Sequence, residues 1–382
     1  MCGIAGQIGF DRDMRGQAEV MAAMSAALAP RGPDAKGEYS DTAAYLVHRR
    51  LIVVDPENGR QPMTEGSYTI VYNGELYNTA EIREQLQRDG MTFDGHSDTE
   101  VVLKAFIRYG EDCARLFNGI FAFAVWDSRR RRLFLCRDRI GVKPPFYSFA
   151  DGGIIFASEI KALLKNPAVK PVITREGVMD IMLIGPAKRV GGGVFRDIAE
   201  IPPAHYAYFD EDGFTMMRYW ELKAAPHTEG FEDTARHVRE LITDAVKRQL
   251  VSDVPLCCFL SGGLDSSVIS AIAAEEFRKR GEQLCTWSID YRDNHRNFTA
   301  SSFQPDEDAP WIVKMAEYIG SDHTDVVLDT PALTDALDDA VLARDLPGMA
   351  DVDSSLYLFC REIKKRFPVA LSGECADEYL HT

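Results

Sequence analysis

Met1-Cys2-Gly3-Ile4-Ala5-Gly6 opens the chain. A small side chain at position 2 permits removal of the initiator Met, and Cys2 then carries both a thiol and a free α-amino group. An α-amino group titrates at about 7.7–8.0 and a free thiol at about 8.5. An amine able to take a proton at neutral pH therefore sits beside a nucleophile that must lose one, which is one way such nucleophiles are activated. Taken alone the pair is a weak signal, because most residues at position 2 have no chemical role. Its weight depends on what the rest of the chain places around it.

Composition narrows the field. At 382 residues the chain exceeds what a single core ordinarily serves, so two domains are expected. A hydrophobic fraction of 46% and a charged fraction of 27% are those of a soluble globular protein. A net charge of −16 argues against general binding to nucleic acid or to an anionic membrane. The eight cysteines contain no CxxC pair, which fits a reducing cytoplasm better than a disulfide framework or a zinc site. No basic segment followed by a long apolar run opens the chain, and no stretch approaches about 18 apolar residues, so neither a signal peptide nor a membrane span is expected.

Outward from the opening, residues 3–10 read as a strand. Residues 16–29 carry Val20, Met21, Met24 and Leu28 at helical spacing and end in Pro30-Arg31-Gly32-Pro33-Asp34. Residues 43–54 are β-rich but interrupted by His48-Arg49-Arg50; arginines in a strand need an anionic partner or a route to water, and a structural salt bridge would satisfy them. The strand 68–72 runs into Asn73-Gly74-Glu75, where Asn-Gly ordinarily marks a tight turn but also exposes an amide and a backbone N–H, the donors an oxyanion needs. Ser97 or Asp98 could simply cap the helix 101–109; an aspartate at a pocket edge could instead hold an ammonium group. Residues 120–126 and 133–137 form a hairpin in which Phe121, Phe123 and Val125 alternate with Ala122, Ala124 and Trp126, a sheet buried on both faces. Its arginine-rich tip, 129–132, reads as solvated.

Seven blocks, MCGIAG, RGPD (31–34), HRRL (48–51), YNGELYN (72–78), GHSDTE (95–100), FNGIFAFAVWD (117–127) and RDRIGVKPPFY (137–147), resemble in order the class II glutamine amidotransferase domain. That resemblance implies a layered αββα N-terminal nucleophile hydrolase fold of the α+β class. It implies that Cys2 is the nucleophile with its own amine as base, and that Asn73 and Gly74 form the oxyanion hole. Arg50 and Asp98 would hold the glutamine carboxylate and ammonium, with Asn73 and Glu75 also in the glutamine site. One cation and one anion suit the head of an amino-acid zwitterion.

In the second half, residues 223–233 read as linker and 234–250 as an amphipathic helix. The strand 254–260 ends in Ser261-Gly262-Gly263-Leu264-Asp265-Ser266-Ser267, followed by a helix at 268–280. Strand, Gly-rich turn and helix make a phosphate cradle, with backbone N–H groups and the hydroxyls of Ser261, Ser266 and Ser267 available to an anion; a plain capped turn is the alternative. No Gly-Lys-Ser/Thr follows, so this is not a Walker loop. Further strands at 284–290, 324–328 and 369–371, separated by helices at 309–320, 331–345 and 354–367, imply a doubly wound parallel sheet with ligands at its carboxyl edge.

SGGLDSS resembles the pyrophosphatase loop of ATP-pyrophosphate-cleaving synthetases. Together with the first half, DVDSSLYLFCREIKK and LSGECADE, it resembles the glutamine-hydrolysing asparagine synthetase family. The resemblance implies domains at 1–215 (glutaminase) and 234–382 (synthetase), joined by 216–233. It implies ATP contacts at Leu260, Ser261, Gly262, Gly263, Leu264, Asp265, Ser266, Ser267, Ser288, Ile289, Ser372 and Gly373, an aspartate or adenylate pocket at Glu374, and Mg2+ held by Asp265 and Asp377. The implied partners are glutamine, aspartate and ATP, with no nucleic acid and no membrane; a homodimer is compatible with that reading. Only Tyr379-Leu380-His381-Thr382 follows Glu378, so the expectation is a synthetase domain shortened at its C-terminus, its ligase step impaired. A related amidotransferase with another carboxylate acceptor, or an inactive remnant, are the alternatives.

Overall fold

The computed structural model describes residues 1–185, 187–302 and 306–376. The chain divides into two compact units, Met1–Ala224 and Ala225–Thr382, and residues 219–230 carry no helix or strand.

The first unit is built on two six-stranded sheets. One has the spatial order Ala199–Glu200, Phe146–Ala150, Gly153–Ala157, Gly3–Gly9, Ala44–Arg50, Ala35–Ser40; the other runs Gly213–Arg218, His205–Asp210, Arg132–Arg137, Gly119–Asp127, Tyr68–Leu76, Met63–Glu65. All pairings in both are antiparallel. Side chains alternate between faces with period two. Ile4, Ile8 and Phe156 of the first sheet thus meet Val71, Ala124 and Trp126 of the second in one core. The opposite face of the second sheet, with Tyr72, Phe121 and Phe123, packs on Ile82 and Leu86 of helix Thr79–Arg88 and on Val101, Val102 and Phe106 of helix Asp98–Tyr109. Helices Ala18–Ala27 and Ile160–Leu163 cover the first sheet. The result is the layered αββα arrangement.

Two local expectations change. Asn73-Gly74 is not a turn: the strand Tyr68–Leu76 passes straight through it, with Gly74 opposite Phe121. A Cβ on Gly74 would lie 2.5 Å from the Ile120 carbonyl oxygen, so glycine here serves close strand packing rather than a positive φ. The strand expected at 43–54 stops at Arg50.

The second unit has a four-stranded parallel sheet in the order Asp322–Leu328, Cys285–Tyr291, Leu256–Phe259, Val369–Leu371. Leu256–Phe259 is first in sequence yet lies inside, so the winding reverses between it and Val369–Leu371. That is a doubly wound sheet with its switch point there. Helix Leu264–Lys279 begins four residues before the expected Val268, and 331–345 is two helices, Thr330–Asp335 and Leu337–Arg344.

Phe123 is 1% exposed within the aromatic cluster of Phe117, Phe121 and Phe134. Truncation leaves a cavity and removes buried apolar area, so Phe123→Ala should destabilise the first unit by about 3–5 kcal/mol, measurable as a lowered denaturation midpoint.

Candidate active site

In the first unit the site is assembled by register. Antiparallel pairing sets Gly3 opposite Arg49, which brings Cys2 to the end of the Ala44–Arg50 strand. There its thiol donates to the Leu51 carbonyl oxygen at 3.7 Å. Arg31, from the turn after the first helix, donates Nε–H to the Cys2 carbonyl oxygen at 2.9 Å and pairs with Glu159 at 3.0 Å. Gly32 is needed beside it, because a Cβ there would lie 2.2 Å from the Arg49 carbonyl carbon.

Arg50 is buried, and carbonyl oxygens of the following loop hold its guanidinium. Its guanidinium donates to the carbonyl oxygens of Val54 (3.0 Å), Asp55 (2.5 Å) and Pro56 (3.0 Å). These three bonds fix its plane and leave part of its five-donor fork for a ligand. Gly59 makes room, since a Cβ there would fall 2.2 Å from Arg50 Nη2. Asp55 ties this loop to the next: its carboxylate accepts from the N–H groups of Asn58 (2.9 Å), His96 (2.7 Å) and Ser97 (3.1 Å). Its own burial works against ionisation, but those bonds outweigh it and hold its carboxyl below the ordinary range.

The helix Asp98–Tyr109 is capped by Ser97, whose hydroxyl accepts from Glu100 N–H at 3.3 Å. Capping by Ser97 releases Asp98 for other work. Asp98 accepts from the Tyr72 hydroxyl at 2.9 Å and the Leu76 N–H at 3.3 Å. Burial, with the Glu75 charge adding, pushes its pKa up to about 6 against those bonds. Cys2 feels both Arg50 and Asp98 electrostatically, and burial raises its thiol. The amino terminus on Met1 is lowered to about 5, first by burial and then by the Arg31 and Lys143 cations, with the Cys2 and Glu75 charges opposing. Lys143 is itself buried and donates to Met1 Sδ at 2.9 Å. Burial also drives His48 down to about 3; this neutral ring bonds the Tyr72 carbonyl oxygen at 3.1 Å.

Asn73 is 1% exposed, and its Nδ2 has no hydrogen-bond partner among the described residues. Buried amides are ordinarily satisfied, so this donor is kept for something else. Asn73 and Glu75 share one face of their strand by the period of two, and Glu75 acts on the amino terminus. Arg31, Asp55, Glu159 and Lys143 were not singled out as site residues from sequence, although Arg31 and Lys143 lie inside the quoted blocks.

In the second unit a cleft of about 500 Å³ opens at the carboxyl ends of the parallel strands. It brings together Leu260, Ser261, Gly263, Asp265 and Ser266 from one loop, Ser288 and Ile289 from the next strand, and Ser372, Gly373 and Glu374 from the last. Gly262, Leu264 and Ser267 are outside its lining. Gly262 makes the turn at φ +81 and Leu264 is 69% exposed. Ser267 donates its N–H to the Gly263 carbonyl oxygen at 3.2 Å. Ser266 lines the cleft and also holds its own loop. Its hydroxyl accepts from Ser261 N–H at 3.1 Å and contacts Gly263 O at 3.2 Å and Ser261 Oγ at 3.0 Å, so it braces the loop. Because the helix starts at Leu264, Asp265 stands in its first turn. Gly373 lets the last loop close on it, with a would-be Cβ 3.0 Å from Ser266 N. Asp377 lies outside the described residues. Among those residues no group of three acidic, His or Cys side chains could hold a metal. One carboxylate plus phosphate oxygens is nevertheless the usual Mg2+ arrangement, which Asp265 fits.

Asp98 gives a signed test. Its folded pKa lies above its unfolded value, so its ionisation opposes folding fully above about pH 6 and not at all below the unfolded carboxylate range. Asp98→Asn should therefore melt at higher temperature than the wild type at pH 7–8, with the gain fading to nothing below about pH 4.

Residues 1–220 match the family model of a glutamine amidotransferase domain, and residues 237–381 match asparagine synthase. The chain is 51% identical over 383 residues to asparagine synthetase [glutamine-hydrolyzing] 3 of Bacillus subtilis, covering 99% of this chain and 62% of that one. It is 30% identical to putative asparagine synthetase [glutamine-hydrolyzing] 2 of Methanocaldococcus jannaschii, covering 99% and 75%. A solved glutamine phosphoribosylpyrophosphate amidotransferase from B. subtilis aligns at 13% identity and a TM-score of 0.44, over 85% of this chain and 81% of that one. The chain spans less than two thirds of the length of the B. subtilis synthetase. With one domain match covering more than half of it and the other most of the remainder, the chain belongs to the family of glutamine-hydrolysing asparagine synthetases.

Proposed function

We propose that this chain releases ammonia from the side-chain amide of glutamine at Cys2 and uses it to convert ATP-activated aspartate into asparagine. The observation that carries the first step is the buried, unpartnered Nδ2 of Asn73 on the strand face it shares with Glu75. With Met1 removed, the Cys2 amine takes the thiol proton and the sulfur attacks the amide carbon. Negative charge collects on the amide oxygen, where Asn73 Nδ2–H and the Gly74 N–H are the donors. The proton passes to the leaving nitrogen, ammonia departs and a glutamyl thioester remains; water then releases glutamate and restores the thiol. Arg50 and Asp98 hold the carboxylate and ammonium of the substrate.

In the second unit we assign ATP to the cleft, its phosphates at Ser261, Gly263 and the start of helix Leu264–Lys279, and its nucleoside toward Ser288 and Ile289. Asp265, with Asp377, would hold Mg2+, which neutralises phosphate charge when bound. The aspartate side-chain oxygen displaces pyrophosphate from the α-phosphorus, and ammonia then displaces AMP from the acyl carbon. Glu374, at the cleft edge, is assigned to the aspartate pocket. Eight cysteines without a CxxC pair support a reducing cytoplasmic setting, and among the described residues no helix is long and apolar enough to cross a membrane.

Intact mass before and after a glutamine-analogue alkylator tests the nucleophile. The expected result is a chain lacking Met1 that gains one adduct, and none in Cys2→Ala, with glutamate release abolished. Asn73→Ala should lower the glutaminase kcat by about 10²–10³-fold with little change in glutamine KM, the signature of a donor used in the transition state. Glutaminase activity persisting in Cys2→Ala would overturn the assignment.

A further inference from the structure

The strand Cys285–Tyr291 carries a polar network of which the assignment above uses only Ser288. Parallel pairing sets Thr286 beside His323 and Ser288 beside Asp325 on the edge strand Asp322–Leu328. Thr286 and Ser288 are buried, at 0% and 3% exposure. Thr286 Oγ1 lies 2.8 Å from Ser321 Oγ and 2.9 Å from His323 Nδ1. His323 Nε2 lies 3.2 Å from Ser288 Oγ and 3.0 Å from Asp325 Oδ1, and Ser288 Oγ bonds the same carboxylate oxygen. Burial disfavours ionisation of Asp325, but the bonds from Ser288 and His323 outweigh it and hold the carboxyl below its ordinary range.

The direction of the Ser288 bond follows from chemistry. An ionised carboxylate has no proton to give, so Ser288 must donate to Asp325, whichever tautomer His323 adopts. A serine hydroxyl has one proton, and a charge-assisted bond is the stronger use of it. What Ser288 has left for the cleft it lines is lone pairs only.

We propose that Ser288 selects the base of the bound nucleotide: with its proton committed to Asp325, it accepts from a purine that donates at position 6, an amino group, and disfavours one that presents an oxygen there. This rests on the nucleotide assignment above, which puts the phosphates at the Ser261–Gly263 end of the cleft and leaves the carboxyl end of the neighbouring strand for the base. A 6-oxo purine would set acceptor against acceptor, and a site built around one hydrogen bond rejects the mismatched partner well. Asp325 is a positioning residue in this scheme. Its side chain is 55% exposed on an edge strand, so its replacement leaves the core untouched.

The test is calorimetric: dissociation constants of ATP and ITP, with Mg2+, for the full chain and for Ser288→Ala, Asp325→Ala and the double variant. ATP and ITP differ chiefly at position 6. The wild type should prefer ATP by about tenfold or more. Ser288→Ala removes the acceptor, and Asp325→Ala frees the hydroxyl to donate, so each should bring the ratio within about twofold, with no further change in the double variant. A purely structural role would weaken both nucleotides alike and leave the ratio standing. A wild-type preference under about twofold, or a preference retained in Ser288→Ala, overturns the inference while leaving nucleotide binding intact. A wild-type chain that binds neither nucleotide overturns the nucleotide assignment and this inference together.

Discussion

The pairing of Gly3 with Arg49 is the constraint on which the first unit's chemistry depends. Slipping a strand by one residue turns every side chain to the opposite face. The register is held by residues with no chemical role: Ile4 and Ile8 on one strand and Leu46 on its neighbour, each fully buried. Burial of these apolar groups therefore decides that Cys2 emerges beside Leu51 and Arg50. Once it does, short-range polar contacts refine the position. Arg31 holds the Cys2 carbonyl, and three loop carbonyls hold Arg50.

Removal from water then acts on every ionisable group gathered there, in opposite directions for acids and bases. The amino terminus and His48 fall, to about 5 and about 3, while the Cys2 thiol rises and Asp98 rises to about 6. In the proposed reaction the ammonium of an amino-acid zwitterion would favour ionised Asp98, and its carboxylate would meet the spare donors of Arg50. Recognition of the head group and the protonation state of the pocket are one electrostatic problem. Asn73 Nδ2, without a partner among the described residues, is a polar cost carried by the folded chain that the proposed oxyanion would offset.

Much of this was legible in the sequence where a residue's local neighbours decide its fate. The alternation of Phe121, Phe123 and Val125 with Ala122, Ala124 and Trp126 announced a strand buried on both faces, and it is one. Legibility failed where distant backbone decides. Asn73-Gly74 has the local chemistry of a turn, but the neighbouring strand at Ile120 and Phe121 approaches so closely that only glycine fits in line. Arg50 is held by three carbonyl oxygens of a loop that folds over it, and carbonyls leave no mark in a sequence. The start of helix Leu264–Lys279 was hidden because its cap is Gly263, a residue without a capping side chain, while the apolar spacing begins only at Val268. Asp55 organises two loops through backbone N–H groups 3 and 41–42 residues away, a role that no spacing rule reveals.

In the proposed reactions the two units answer the same demand, holding negative charge, by different means, and topology explains the difference. Antiparallel sheets have small net dipoles and pair most of their own N–H groups, so the first unit would bring side chains, Arg50 and the Asn73 amide, to the charge beside the lone Gly74 N–H. The parallel sheet of the second unit feeds a strand directly into a helix, and the free N–H groups at the helix start would do the holding. Such a site needs loops that approach closely rather than long cations. Small residues therefore crowd the switch point: Gly262 turns the chain, Ser266 braces the loop, and Gly373 brings the last strand's loop against Ser266 N. Small polar residues leave a cleft that is specific only if their few hydroxyl protons are directed. The neighbouring edge strand, through Asp325 and His323, is placed to direct one of them.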